Sequence, residues 1–321
     1  MASTALRSSR YTLLGLCAGA LLSVALFLTI GANGQWDFVL PFRGTKILTM
    51  VLVGYSVAVS AVLFQTATGN RILTPGIMGF DSLFVLLQTL LVFSIGAQGY
   101  TGIDPRLLFA GQAALMIGFS AVLYRLLFHN SGRSLHLLVL TGVVLGILFR
   151  SLSEFAGRVI SPNEYLFLQD RFFASFNSPD TELLAFSYAV VGGISLLAWR
   201  LLPAFDVLGL GRERAISLGV DHRRTVGVIL ALTAVLVSIS TALVGPVTFF
   251  GLLVSNLAYW IIRSHRHVLI LPAATLIAII SLLAGQLVLE QALGFGTNLR
   301  VVLEFAGGIT FILLLLRDPR R

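Results

Sequence analysis

Charge is what this sequence has least of. Asp, Glu, Lys and Arg make up 11% of the residues, against about 25% in an ordinary soluble domain. So few charges cannot cover a water-facing surface, and 57% of the 321 residues are apolar. Lysine is almost missing: of the 22 basic residues, all but Lys46 are arginine. A P-loop needs Gly-Lys-Ser/Thr to hold phosphates. Lys46 stands instead in Gly44-Thr45-Lys46-Ile47, so the chain has no Walker A site with which to bind and hydrolyse ATP. The single cysteine, Cys17, excludes an internal disulfide. A bulky Leu16 before it makes a poor lipoprotein box, so a buried, inert thiol is expected. There is no Gly-x-Ser-x-Gly and no His-Glu-x-x-His of a membrane hydrolase. Histidines 129, 136, 222, 265 and 267 fall in or near loops. They are expected to be solvated and to hold no metal.

What is present is a series of long apolar runs, at about 11–31, 46–64, 76–96, 106–128, 135–158, 181–202, 225–244, 247–262, 269–292 and 299–316. A membrane helix needs about 20 such residues, and a membrane barrel would show short alternating segments instead. The expectation is one all-α, polytopic domain over 1–321 with about ten spans. The breakers Pro75-Gly76 and Gly245-Pro246 predict half-helices. The first run, Tyr11 to Ile30, is read as a retained span and not a cleaved signal. A net charge of +8 would point to nucleic acid in a soluble protein. Here fifteen basic residues fall in loops on the N-terminal side, six fall on the other side, and Arg150 lies within a span. The positive-inside rule makes both termini cytoplasmic.

Two loops and two charge groups stand out. The outside stretch 159–180 is polar and aromatic. The inside stretch 203–224 mixes Arg212, Glu213, Arg214, Asp221, Arg223 and Arg224 with Ala215, Ile216, Leu218 and Val220, the pattern of a short amphipathic surface helix. Arg150, Glu154 and Arg158 recur every four residues on one span, and Arg300 and Glu304 repeat the spacing on the last. Such charges either neutralise one another as local pairs or line a path for a charged cargo. Asp81 reads as a satisfied helix cap.

Leu208-Gly209-Leu210-Gly211-Arg212-Glu213-Arg214-Ala215-Ile216-Ser217-Leu218-Gly219-Val220 resembles the coupling-helix loop of the FecCD family. These are the permeases of type II ABC importers for iron-siderophores, haem and cobalamin. Three further segments agree in order. Phe64-Gln65-Thr66 through Asn70-Arg71 to Pro75-Gly76-Ile77-Met78-Gly79 is similar to the family's FQ…T-x-N…PG-x-x-G. Gly245-Pro246-Val247-Thr248-Phe249-Phe250-Gly251-Leu252 is similar to GP-x-x-F-x-G-L. Arg43-Gly44-Thr45-Lys46 sits where members often carry Arg-Leu-Pro-Arg. Ser255-Asn256 departs from a frequent Pro-His, and Glu304-Phe305-Ala306-Gly307-Gly308 departs from Gly-Ala-Pro. Together these features resemble the branch serving catecholate and related siderophores.

The resemblance implies a transport subunit, not an enzyme, that moves a ferric siderophore. Two separate ATPase subunits bind the ATP and Mg, and this chain holds no cofactor. It implies an ATPase contact at Arg212, Glu213, Ala215, Ser217, Leu218 and Gly219. It also makes Arg43 and Lys46 candidates for docking a substrate-binding protein, where the bland alternative is two interfacial cations flanking a span. A second permease completes the path, with a heterodimer favoured over a homodimer. The rivals are a secondary transporter driven by an ion gradient and a polytopic membrane enzyme or assembly subunit.

Overall fold

The computed structural model describes residues 2–31, 34, 36–128, 135–177, 180–262, 264–295 and 297–317. His129, Arg133, Arg263, Arg320 and Arg321, and the side chains of Arg7, His136 and Arg317, lie outside the description. The described chain is helical: α1 (Ala2–Thr29), α2 (Trp36–Thr68), a 3-10 turn (Pro75–Met78), α3 (Phe80–Thr101), α4 (Pro105–Phe128), α5 (Leu135–Val159), α6 (Pro162–Arg171), α7 (Thr181–Leu208), α8 (Arg212–Ser217), α9 (His222–Val244), α10 (Phe250–Ile261), α11 (His267–Gln291) and α12 (Leu299–Arg317). Eight of these are long and apolar enough to cross a membrane. The apolar α10 is shorter, as expected of a half-helix.

Each expected apolar run is matched by a helix or half-helix, but three boundaries differ in ways that matter. α2 starts at Trp36 and runs through Pro41, so Arg43 and Lys46 lie on a helix and not in a loop before one. α7 continues through Pro203 to Leu208, which shortens the exposed connection to residues 209–221. The 159–180 stretch contains α6, capped by Ser161, whose hydroxyl accepts from the Glu164 N–H while bonding the Glu164 carboxylate at 2.9 Å. The Ser161 hydroxyl thus serves as the N-cap of α6. The Cys17 thiol was expected to be buried, yet it is exposed on α1.

α2 is hydrophobic all round, so it belongs in the centre. In its most apolar stretch 78% is buried, against 11% for α1. One side, with Leu52, Val59 and Leu63, packs into a cluster with α3, α4, α5, α7 and α9. The other, with Met50, Val53 and Val62, packs against α1, α10, α11 and α12. Lipid is as apolar as leucine, so close van der Waals fit and polar contacts hold such helices together.

The two expected breaks face each other. Thr74, Pro75, Gly76 and Asp81 share a cavity of about 30 Å³ with Gly245, Val247, Thr248 and Gly251. The chain turns from the 3-10 segment into α3 at Gly79, where φ is +91°, a conformation that side chains disfavour. α5 presses closely here. A Cβ at Gly142 would meet the Met78 Cα at 2.9 Å, and one at Gly79 would meet the Gly146 Cα at 3.1 Å. The Gly142-x-x-x-Gly146 spacing therefore packs a helix against a break, whereas Gly15 has nothing within 4 Å. Gly142→Ala should cost about 1–3 kcal/mol of stability, measured as thermal unfolding of the purified permease in detergent. Gly15→Ala should leave the transition in place.

Candidate functional site

Three places carry the chemistry. The first is the connection from α7 to α9. Gly211, with φ +99°, lets the chain turn into α8, and Asp221 caps α9 by accepting from the Arg224 N–H. Ala215 is fully buried and anchors α8 against the bundle. Arg212, Glu213, Ser217 and Gly219 are exposed. So are Leu210, Ile216 and Leu218, at 49%, 55% and 61%. Three large apolar side chains displayed beside Arg212, Glu213 and Arg214 form a patch that wants a protein partner.

The second is a cavity of about 500 Å³ lined by the 3-10 turn, α3, α5, the 245–249 break and α12. Asp81, Arg150, Glu154 and Arg300 all border it. Arg150 and Arg300 share the cavity with Asp81, yet neither is within ion-pair distance of it. The Asp81 Oδ2 is buried with no hydrogen-bond partner, and α3 begins at Gly79 without a side-chain cap. Asp81 is therefore not the satisfied cap expected of it. The local-pair reading holds for Arg300 and Glu304, whose Nε and Oε1 are 2.7 Å apart. No such pair joins Arg150, Glu154 and Arg158 among the described residues, and all three are exposed on α5. Arg158 and Glu304 do not border the cavity.

The third place is the opposite end of α2 and α11. The Lys46 Nζ lies 2.9 Å from the Glu290 Oε1, with the two side chains 3% and 8% exposed. Arg43 stands 3.9 Å from the same carboxylate and donates to the carbonyls of Phe27 and Ile30 at 2.6 Å. Gln286 donates to Glu290 at 2.9 Å and to Asn177 at 3.1 Å. Arg43 and Lys46 thus have an internal partner, and Lys46 is withdrawn from the surface. These contacts give both cations a structural role. The cause is the early start of α2, which turns both cations inward toward α11.

Sequence reasoning missed one more cluster. His267 is not solvated: it is 3% exposed, and its ring sits between Asp206 and Thr66. The only sequence signal was a lone acid, Asp206, at the end of an otherwise apolar run. The departure at Ser255-Asn256 also finds its reason. Gln65 donates to the Ser255 hydroxyl and the Arg71 carbonyl at 2.8 Å, and Asn256 donates to that same carbonyl at 3.1 Å.

A helical bundle with two facing breaks, a charged cavity and a projecting apolar-tipped helix defines a membrane transport permease. Residues 11–317 match the FecCD transport family, and the chain belongs to it. It is 44% identical over 301 residues to the petrobactin import system permease protein YclO of Bacillus subtilis (strain 168), covering 94% of this chain and 95% of that protein. It is 32% identical to the petrobactin import system permease protein FatC of Bacillus anthracis, over 86% of this chain and 78% of that one. The fold matches a solved structure described as a metal-chelate type ABC transporter in an inward-facing conformation. There the TM-score is 0.84 at 22% identity, covering 96% of this chain and 99% of that chain. The chain is a permease subunit of an ABC importer and a multi-pass protein of the inner membrane. Family membership removes the alternative of a secondary transporter driven by an ion gradient.

Removing one partner of a buried ion pair costs about 3–5 kcal/mol, while replacing both by apolar groups is close to neutral. Glu290→Leu should therefore destabilise the permease by about that amount. Adding Lys46→Met should recover much of the loss, read by denaturation in detergent.

Proposed function

We propose that the chain carries a ferric siderophore of the petrobactin kind into the cytoplasm. Two ATP-binding cassette ATPases, which bind the ATP and Mg, drive it through the 209–221 segment. The names of the relatives at 44% and 32% identity support the cargo class. The observation that carries the ATPase contact is the buried Ala215 beneath the exposed Leu210, Ile216 and Leu218. An apolar patch on a helix flanked by arginines is not built to face water alone, and a rigid element at a subunit contact can pass a partner's closure on to the spans. Arg212, Glu213, Ser217 and Gly219 surround that patch and complete the contact, with Ala215 holding α8 in place. The ATPase-binding end is cytoplasmic, and a substrate-binding protein delivers cargo at the other. Leu218→Asp should abolish co-purification of the ATPases and cut uptake at least about tenfold, with membrane insertion unchanged. Retention of the ATPases by this variant would remove the assignment.

A second permease closes the path, preferably a different chain from this one. Arg150, Glu154 and Arg158 are exposed on the second half of α5, with Arg158 in its last turn, and a charge within a span does not face lipid. They therefore look onto water and a partner. Arg150, Glu154 and Arg300 meet the cargo's polar shell within the cavity; Arg158 and Glu304 extend the charged lining beyond it. Arg150→Glu should reduce uptake of the anionic chelate at least about tenfold while leaving the assembled complex intact. Iron-chelate uptake in a strain lacking other importers measures it.

A further inference from the structure

Asp206, His267 and Thr66 join three helices by one side chain each. Asp206 lies in the last turn of α7, three residues before the connection that carries α8. Its Oδ1 accepts from the backbone N–H of His267 at 2.7 Å and lies 2.6 Å from the His267 Nδ1. α11 begins at His267, and its N-cap residue Arg266 supplies no side-chain cap. Asp206 thus caps α11 from another helix, with its negative charge at the positive end of the α11 dipole. The other ring nitrogen of His267, Nε2, is 2.8 Å from the Thr66 Oγ1 on α2. That hydroxyl is also 2.9 Å from the Val62 carbonyl. With the Nδ1–H donating to the Asp206 carboxylate, Nε2 is an acceptor, and the Thr66 hydroxyl turns from the Val62 carbonyl to donate to it. The His267 side chain is 4% exposed and that of Asp206 is 28% exposed.

This cluster is more than packing, because of what each end is attached to. Asp206 is tied to the segment that meets the ATPases. Thr66 belongs to α2, which packs in both apolar clusters. A pull on α8 bends the end of α7. A carboxylate with two hydrogen bonds to one residue passes that displacement to the first turn of α11, and an imidazole passes it on to α2. Apolar contacts alone would let the helices slide.

We propose that Asp206, His267 and Thr66 form the strut that transmits motion of the α8 segment to α2 and α11, with His267 and Thr66 acting as positioning residues for transport. The proposal rests on α8 being the ATPase contact. It concerns force transfer, so its signature is uncoupling: ATP is still hydrolysed, but less cargo moves for each ATP.

The test uses the complete importer in proteoliposomes, with cargo-loaded binding protein, and measures ATP hydrolysis and iron-chelate transport together. Thr66→Val and His267→Gln should retain the ATPases and hydrolyse ATP within about twofold of wild type. Both should carry at least about fivefold less cargo per ATP, the scale of a typical coupling free energy. Thr66→Ser, which restores the hydroxyl, should restore the ratio. An unchanged ratio in Thr66→Val overturns the strut, as does a parallel fall of transport and hydrolysis. If His267→Gln fails to assemble, the comparison of Thr66→Val with Thr66→Ser decides alone. A wild-type complex that holds no ATPase on α8 overturns the reading beneath the proposal, and the proposal with it. Bound ATPase with an unaltered ratio overturns the proposal only.

Discussion

In hydrocarbon a polar group has only the protein to bond to. The antiparallel pair α2 and α11 shows how the chain meets that constraint. At one end Lys46 pairs with Glu290, and at the other Thr66 meets His267. The twenty residues from Lys46 to Thr66 span about 30 Å of helix, the thickness of a bilayer's hydrocarbon core. Between the two clamps the pair is mostly apolar, broken by a few polar side chains such as Ser56, Gln65 and Thr275. The clamps fix register at both ends of the pair, and the apolar contacts between them need only shape.

The rest of the bundle is arranged around this pair. α1, α10 and α12 pack on one side of it, while α3, α4, α5 and α7 lie on the other with α9. The two helix breaks meet between these sides, where Asp81 leaves a carboxylate oxygen unpartnered in the cavity that Arg150 and Arg300 also border. A rigid centre with a less satisfied flank suits a permease: the centre carries displacement, and the flank faces what moves. Burial of charge is tolerated where it is paired, and it marks function where it is not.

Much of this was legible in the sequence, because the relevant signals are local. Apolar runs of span length, Pro-Gly breakers and the Arg-rich segment around α8 report themselves at short range. α8 was found because Ala215, Ile216 and Leu218 interrupt a run of charges. What stayed hidden was long-range. Lys46 and Glu290 are 244 positions apart, and His267 and Thr66 are 201 apart; no spacing rule joins them. Arg43 and Lys46 stood in the sequence as cations flanking a span, whereas α2 runs through Pro41 and carries both to Glu290. His267 looked solvated because His265 and Arg266 precede it, but it is the residue where α11 turns inward. The cavity charges lie between the two cases: Arg150 and Arg300 were visible as intramembrane charges, and only the folded chain brings them to one space.

The central claim is that the α8 segment and the α2–α11 pair move as one unit during the ATPase cycle. Electron–electron resonance distances measure it most directly. Spin labels would be placed at Ser217 on α8, at the exposed Val268 on α11 and at the exposed Leu126 on α4, with Cys17 replaced by serine. Between nucleotide-free and vanadate-trapped importer, the Ser217–Val268 distance should hold steady. The distances from both positions to Leu126 should change by more than about 2 Å, the upper end of helix shifts at working interfaces. A Ser217–Val268 distance that changes as much as the distances to Leu126 would contradict the account.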